Sequence, residues 1–251
     1  MAYVQLSETD IIIDPNLISY WKAQDNLNDQ TTSAYNFTTA NLSYSNTNGV
    51  NGCDKYAIFN GTTAAAYITA SPNLSLEYYG TIMFWIRAAD INANSRVWFG
   101  KGWDATNTGL VFTNGLASAA NLDFGFYNGA WKIASYATNL SNNTWYHICG
   151  TYSTNDTYLR LYVNGTEAAT ANSGVAVIPR SLARYEMASG YWNGNLMYKT
   201  SCWMDEIAVL NRCMSAQEIS DIYNGTFKLA TMNKLGKIAR RSRITGSLNG
   251  L

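Results

Sequence analysis

The sequence has little charge, little proline and no long apolar run. Asp, Glu, Lys and Arg make up 14% of the 251 residues, with 3 prolines and 1 histidine, whereas about a quarter of an average protein is charged. No segment approaches the roughly 18 consecutive apolar residues of a membrane helix, so membrane insertion is not expected. Asn, Thr, Ser, Gly and Tyr replace the missing charge, and the aromatic share is 14%. This composition is typical of an all-β protein with a polar, mostly uncharged surface.

The cysteines and the N-terminus give no sign of secretion. Cys53, Cys149, Cys202 and Cys213 have neither CxxC nor metal-knuckle spacing. The opening MAYVQLSETDIII lacks a basic segment followed by an apolar run, so we expect no signal peptide. We therefore expect reduced, structural cysteines and synthesis in a cytoplasm.

Charge is distributed unevenly along the chain. Residues 1–227 hold 11 of the 17 basic residues and all 17 acidic ones, whereas the last 24 residues hold six basic residues and no acid. We therefore divide the chain into an N-terminal arm (1–15), a domain (16–226) and a basic C-terminal arm (227–251). The C-terminal arm is either solvated or docks on a partner, and nucleic-acid binding is not expected because no aromatics are interleaved with its charges. Its candidate assembly residues are Lys234, Lys237, Arg240, Arg241 and Arg243.

Short apolar segments between polar turns predict strands through most of the domain. Asn-Gly pairs at 114–115, 128–129 and 164–165 indicate hairpins, because both residues tolerate positive φ. The segment 81–87 (TIMFWIR) predicts a central strand. Tryptophans inside apolar strands are predicted to lie in the core, namely Trp85, Trp145 and Trp203.

One helix is predicted near the end of the domain. Ser215 and Glu218 form a capping box, since each side chain can bond the other residue's backbone N–H. Asn224-Gly225 is a typical C-terminal stop, which leaves about two helical turns.

The order of these segments resembles the laminin-G-like jelly-roll family of the concanavalin-A-like lectin and glucanase superfamily. The resemblance covers roughly residues 17–225 and rests on six segments in order: LISYWKAQD, KYAIFNGTTAAAYI, TIMFWIR, NNTWYHICGTY, LRLYVNGTEAA and WMDEIAVLNRCMSAQEISDIYNG. It implies an all-β, concanavalin-A-like jelly-roll β-sandwich of two antiparallel sheets with one short C-terminal helix.

The acids do not follow the plan of the family's enzymes. Glucanases of this fold carry two acids that point the same way from one strand, and no E-x-D-x-E pattern occurs here. Asp205 and Glu206 are adjacent, so a regular strand directs them to opposite faces. His147 and Cys149 are interpreted as packing residues. We expect no catalytic residues and no enzyme activity.

The resemblance also implies two kinds of binding site. Family members that bind Ca²⁺ use oxygen ligands from a loop near the start and an acid near the end, which here suggests Asp25, Asn28, Asp29 and Asp205. No other cofactor is expected. A sugar site combines exposed aromatic rings with amide or carboxylate groups. The loop candidates are Trp103, Asp104, Tyr127, Asn128, Trp131, Tyr191, Trp192 and Asn193.

Together these features predict a non-catalytic, lectin-like surface protein with carbohydrate-binding capacity in a larger assembly. The fold and the two arms are similar to those of lectin-like proteins of tailed-phage virions (capsid decoration, fibre or tail). Expected partners are other virion or assembly proteins, glycans and further copies of the chain. The expected location is the virion surface after synthesis in the host cytoplasm, with a cytoplasmic protein as the alternative. A free-standing lectin is the second interpretation of function and a degenerate glycoside hydrolase the third.

Overall fold

The fold is described from a computed structural model. The structure describes residues 11–47, 49–50, 55–69, 74, 76–102, 109–118, 120–137, 139–174, 176, 178, 184–192, 195–225 and 228–230. The strands are β1 Ile11–Ile13, β2 Leu17–Trp21, β3 Thr38–Ala40, β4 Ser43–Tyr44, β5 Ala57–Asn60, β6 Ala65–Ile68, β7 Tyr79–Ala88, β8 Arg96–Lys101, β9 Val111–Asn114, β10 Leu122–Tyr127, β11 Trp131–Tyr136, β12 Tyr146–Ser153, β13 Tyr158–Val163, β14 Thr166–Asn172, β15 Tyr185–Met187, β16 Gly190–Trp192, β17 Asn195–Met197, β18 Ser201–Leu210 and β19 Lys228–Ala230. The described helix is α1, Ala216–Tyr223.

Two antiparallel sheets form the sandwich. The seven-stranded sheet has the order β11-β10-β9-β8-β15-β6-β3, and the eight-stranded sheet has the order β14-β13-β12-β7-β18-β5-β4, with β2 also paired to β18. Strand β7, which the sequence placed at the centre, pairs with β12 over eight residues from Tyr146↔Ile86 to Ser153↔Tyr79. The predicted jelly-roll sandwich with one short C-terminal helix is confirmed.

The core lies between the sheets and is rich in phenylalanine. Phe84 of β7 contacts Phe112 of β9 edge to face, with ring centroids 5.0 Å apart, and Phe112 stacks on Phe124 of β10 at 4.6 Å. Each such buried ring contributes about 2–3 kcal/mol from the apolar area removed from water. Gly150 of β12 lies against these rings, because a Cβ there would be 2.7 Å from both Phe112 and Phe124.

Helix α1 covers part of the outer face of the eight-stranded sheet. Its capping box is confirmed, with Glu218 N donating to Ser215 Oγ (3.3 Å) and Ser215 N donating to Glu218 Oε2 (2.8 Å). Ile219 and the preceding Met214 pack on outward-facing residues of the sheet. The second apolar cluster formed in this way includes Tyr20, Met83, Cys149, Tyr162, Ala208 and Leu210.

Parts of the two predicted arms pair with each other. Strands β1 and β19 form a two-stranded parallel sheet, with Ile12 opposite Leu229. This pairing joins a segment before the sandwich to one after it. The candidate assembly residues from Lys234 to Arg243 lie outside the described residues.

Candidate functional site

Three tryptophans that the sequence placed in the core lie instead on the outer face of the eight-stranded sheet. In β7, Ile82, Phe84 and Ile86 point into the core, so the alternation of a strand directs Trp85 outward. Trp203 and Trp145 likewise alternate with the core residues of β18 and β12. All three are half-buried. The core prediction was wrong because an apolar run does not show which face each residue occupies.

These side chains form one continuous surface, here called the aromatic face: Tyr56, Trp85, Arg87, Trp145 and Trp203. Arg87 of β7 pairs directly with Trp203 of β18. On the other side of β7, Tyr146 of β12 pairs with Ile86, so Trp145 precedes the last residue pair of that ladder and Arg87 follows it. Trp203 of β18 and Trp145, just before β12, therefore lie on the two sides of β7 near Arg87.

Ring contacts hold the aromatic face in place. Tyr56 meets Trp145 edge to face, with centroids 5.4 Å apart. Trp85 stacks on Tyr223, at the end of α1, at 5.7 Å. The helix therefore supports one end of the face, and such pairs contribute about 0.5–1.5 kcal/mol beyond area burial.

Arg87 lies over the ring of Trp203, with Cζ 4.8 Å from the ring centroid. Cation–π stacking of this kind stabilises by about 0.5–2 kcal/mol and fixes the plane of the guanidinium. Among the described residues, Arg87 has no hydrogen-bond partner. Its Nε is buried and donates no hydrogen bond. The aromatic face therefore carries one cation whose donors are not used by the fold.

His147 lies behind the aromatic face and is buried. Its ring contacts Trp85 at 5.3 Å, and burial lowers its pKa to about 4. Burial also raises the pKa of the Cys149 thiol well above its usual value. A neutral imidazole and a protonated thiol are poorly suited to nucleophilic catalysis at neutral pH, and the prediction that both residues pack in the interior is confirmed.

The sugar-binding residues predicted from the loops are placed only in part. Tyr127 and Trp131 are cross-strand neighbours at the β10–β11 hairpin, with ring centroids 5.5 Å apart, and Asn128 is exposed in the turn between them. They lie at the edge of the seven-stranded sheet, on the opposite side of the sandwich from the aromatic face. Trp103, Asp104 and Asn193 lie outside the described residues, and only the backbone of Tyr191 and Trp192, in β16, is described.

The predicted calcium ligands are engaged by protein groups. Asp29 Oδ1 accepts from Tyr20 N (3.0 Å) and Thr31 N (2.9 Å), and its Oδ2 accepts from Thr31 Oγ1 (2.9 Å) and Tyr35 N (3.0 Å). Asp25 pairs with Lys55 at 2.5 Å.

The remaining ligands of this set do not complete a cage. Asp205 Oδ2 accepts from Val50 N at 3.2 Å, and Asn28 is exposed in the loop. No group of three or more acidic, His or Cys side chains suited to a metal occurs among the described residues. A hard cation takes six to eight oxygen ligands, which include backbone carbonyls, amides and water, so the calcium site stays a prediction. Thermal unfolding in Ca²⁺ and in EDTA tests the prediction directly.

Asp205 and Glu206, the adjacent acids of β18, are both hydrogen-bonded within the fold. A bulge in β18 interrupts the alternation at Asp205 and Glu206, and Glu206 has φ +49°. Glu206 accepts a hydrogen bond from Tyr20, while Asp205 Oδ1 accepts from Glu206 N at 3.0 Å. The two carboxylates are therefore committed to local structure.

Two further buried acids, which the sequence did not single out, lie on the outer face of the seven-stranded sheet. Glu186 pairs with Arg184, and burial raises its pKa to about 7. Asp123 accepts from Leu116 N at 2.7 Å, and burial raises its pKa as well. Strands β8 and β9 separate them by about 14 Å, three strand spacings, whereas glycosidase carboxyl pairs lie within about 9.5 Å.

Comparison with known proteins agrees with the sandwich fold. A laminin-G-type profile of the Concanavalin A-like lectin/glucanases superfamily matches residues 60–220. The chain therefore belongs to this superfamily. No curated protein has a matching sequence. No described helix is long and apolar enough to cross a membrane.

Solved structures show the same fold at low sequence identity. Domain 4 of AbnA, an extracellular GH43 arabinanase from Geobacillus stearothermophilus solved with arabinotriose, superposes with TM-score 0.67 and 13% identity over 83% of this chain and 98% of that one. The binding domain of Paraclostridial Mosquitocidal Protein 1 gives TM-score 0.64 and 16% identity over 84% and 52% of the two chains. The receptor-binding domain of botulinum neurotoxin C/D mosaic serotype gives TM-score 0.61 and 15% identity over 84% of this chain and 51% of that one. The chain spans about half the length of these toxin domains.

Proposed function

We propose that this chain is a non-catalytic, lectin-like module that binds glycans through its aromatic face. We also propose that it belongs to the surface of a larger assembly, a phage virion. The similar arabinanase domain was solved with a bound oligosaccharide, which supports carbohydrate as the ligand class.

The observation that carries the glycan proposal is the exposure of three tryptophans on one regular sheet face. Part of the indole ring is exposed to water in each of Trp85, Trp145 and Trp203. Each has a neighbour in the chain that faces the core instead. Apolar sugar faces stack on such rings, and nearby polar groups orient the hydroxyls. An apolar surface held by sheet backbone is also pre-ordered, which reduces the entropy cost of binding.

The similar solved toxin structures are binding domains, which supports the non-catalytic part of the proposal. In the described residues, the acids near the aromatic face are Asp205 and Glu206, and both are bonded within the fold. No activity on β-glucans is expected, and release of reducing sugar by purified protein would support the third interpretation instead.

The paired terminal strands support the assembly part. Because β1 lies beside β19, both arms leave the sandwich close together, which suits attachment at one point. The basic C-terminal arm supplies charge for docking on a partner. Further copies of the chain and other virion proteins are the proposed partners.

Glycan binding is tested by array screening followed by titration calorimetry on the strongest ligand. The variants are Trp145→Ala and Trp203→Ala, with Trp131→Ala as the matched control on the opposite sheet. We expect the first two to weaken binding about tenfold or more and the control to bind normally. Loss of binding only in Trp131→Ala would move the site to the β10–β11 hairpin, and no binding to any glycan would refute the proposed function.

The assembly proposal is tested on the full chain by size-exclusion chromatography with light scattering. Lys234, Lys237, Arg240, Arg241 and Arg243 are replaced together by Gln, which leaves all described residues intact. We expect the wild type to form oligomers and the variant to dissociate at moderate salt. Identical monomers in both samples would favour the free-standing lectin.

A further inference from the structure

We infer that the aromatic face selects carboxylate-bearing saccharides, with Arg87 as the residue that binds the carboxylate. This inference rests on the proposed glycan binding and adds the class of ligand. It follows from the state of the Arg87 guanidinium, not from the fold.

The guanidinium of Arg87 is fixed in place but chemically unused. Its stacking on Trp203 at 4.8 Å sets its orientation. In the described part of the chain it makes no hydrogen bond or ion pair, and Nε is its one nitrogen that is buried in that state. Nη1 and Nη2 therefore face solvent with their donors available. The other arginines that bridge elements here are bonded, as Arg212 is to Asp14 and Glu218.

Among the described acids, none has a hydrogen bond or ion pair with Arg87. Asp205 is the diagonal neighbour of Arg87 in the sheet, since Asp205 pairs with Trp85 and Trp203 pairs with Arg87. Its carboxylate is instead bonded to Val50 N and Glu206 N. Glu206 is bonded to Tyr20, on the side of β2. The positive charge therefore remains open to an external partner.

The surroundings of Arg87 suit an acidic sugar better than an inorganic anion. An arginine fork binds a planar carboxylate through two parallel N–H···O bonds. Trp145 and Trp203 flank the fork, so a saccharide whose carboxylate reaches Arg87 can also stack its ring on indole. The low dielectric beside aromatic rings strengthens the charge-assisted bond. One ligand thus satisfies both the cation and the apolar surface.

The first test uses the wild-type protein and pairs of ligands with and without a free carboxylate. Calorimetry is performed with tetragalacturonate and with its methyl-esterified form. Sialyllactose and lactose provide a second pair, which separates a sialic acid from a uronate as the source of the carboxylate. We expect each acid to bind about tenfold or more tightly than its neutral counterpart, the strength of one charge-assisted interaction.

The second test changes Arg87. Arg87→Gln removes the charge, Arg87→Lys keeps the charge but not the fork, and Lys132→Gln removes one charge from the opposite sheet as the control. We expect Arg87→Gln to reduce the preference for the acid to about unity, Arg87→Lys to retain part of it and Lys132→Gln to retain all of it. Circular dichroism and thermal unfolding establish that each variant is folded.

The outcomes separate this inference from the proposed function. Equal binding of acid and ester by the wild type, or an unchanged preference in Arg87→Gln, would overturn the role of Arg87 while leaving glycan binding intact. Failure of every neutral and acidic glycan to bind would refute the glycan function itself. The wild-type ligand comparison still tests the preference for acidic saccharides even if an Arg87 variant does not fold.

Discussion

Arg212 and Glu218 form a bidentate pair, with Nη1–Oε2 at 3.0 Å and Nη2–Oε1 at 2.7 Å. The Nε of the same arginine bonds Asp14 Oδ2 at 2.6 Å. Because Glu218 is also the second residue of the helix capping box, one guanidinium connects the segment before β2, the end of β18 and the first turn of α1. The helix that supports Trp85 through Tyr223 is therefore fixed at both of its ends.

Replacement of Glu218 by Ala should destabilise the domain by about 1–2 kcal/mol, since it removes the capping box and leaves Arg212 with one partner. Hydrogen bonding from Arg212, with that from Ser215, lowers the pKa of Glu218 to about 2. A carboxyl group whose pKa is lowered by folding stabilises the folded state at pH values above its unfolded-state pKa. This contribution is lost as the pH falls from about 4.5 towards 2. Urea unfolding at pH 7 and pH 3 measures both effects. Glu218→Ala should reduce the difference in the free energy of unfolding between pH 7 and pH 3. Replacement of the exposed Gln217 by Ala should leave that difference unchanged.

His147 should make the domain less stable as the medium becomes acidic. Its folded-state pKa of about 4 lies below the unfolded value of 6.5, so the unfolded chain binds the proton first. Stability is retained above pH 6.5 and falls by about 3 kcal/mol by pH 4. His147→Leu removes the buried Nδ1 that lacks a partner and should flatten this part of the stability profile. An unchanged slope in the variant would show that His147 is not the group responsible.

Glu186 should make the domain less stable as the pH rises, which is opposite to the effect of His147. Its side chain is 2% exposed, and burial raises its pKa to about 7, against the lowering effect of Arg184. A raised carboxyl pKa contributes stability that is complete below pH 4.5 and is lost as the pH rises through 7. Glu186→Gln should therefore gain stability relative to wild type between pH 5 and pH 8, measured as the difference in melting temperature. A constant difference across that range would contradict the assignment.

Gly150→Ala should destabilise the core without changing charge. The added Cβ would lie 2.7 Å from two phenylalanine rings that are themselves close-packed, and overpacking of this kind costs about 1–3 kcal/mol. Gly129→Ala, where nothing lies within 4 Å but φ is +71°, should cost only about 1 kcal/mol of backbone strain. Chemical denaturation of both variants gives the comparison, and equal losses would show that the rings move aside.

Local chemistry explains what the sequence predicted well. The capping box at Ser215 and Glu218 and the hairpin between Tyr127 and Trp131 depend on residues close in the chain, and both occur in the structure. The Phe-rich strands also lie where their apolar character placed them. Periodicity failed at Trp85, because β7 is apolar on both faces: one packs in the core and the other carries Met83 against the helix.

Contacts between distant residues account for the rest. The pairing of β1 with β19 joins segments from opposite ends of the chain and has no local signal. The sequence suggested Asp29 as a calcium ligand from composition alone and gave no signal that the backbone N–H groups of Tyr20 and Tyr35 bond its carboxylate. No sequence pattern pointed to Arg87, because its position over Trp203 joins two strands that are distant in the chain. Its lack of a described hydrogen-bond partner is also visible only in the folded structure.

The side-by-side position of β1 and β19 also affects how such a domain can be reused. A polypeptide that enters the sandwich through one of these strands and leaves through the other does so at a single place on the surface. Domains with neighbouring termini tolerate insertion into the loops of other proteins. The pairing of β1 with β19 therefore makes this sandwich suited to insertion into a surface loop of another protein.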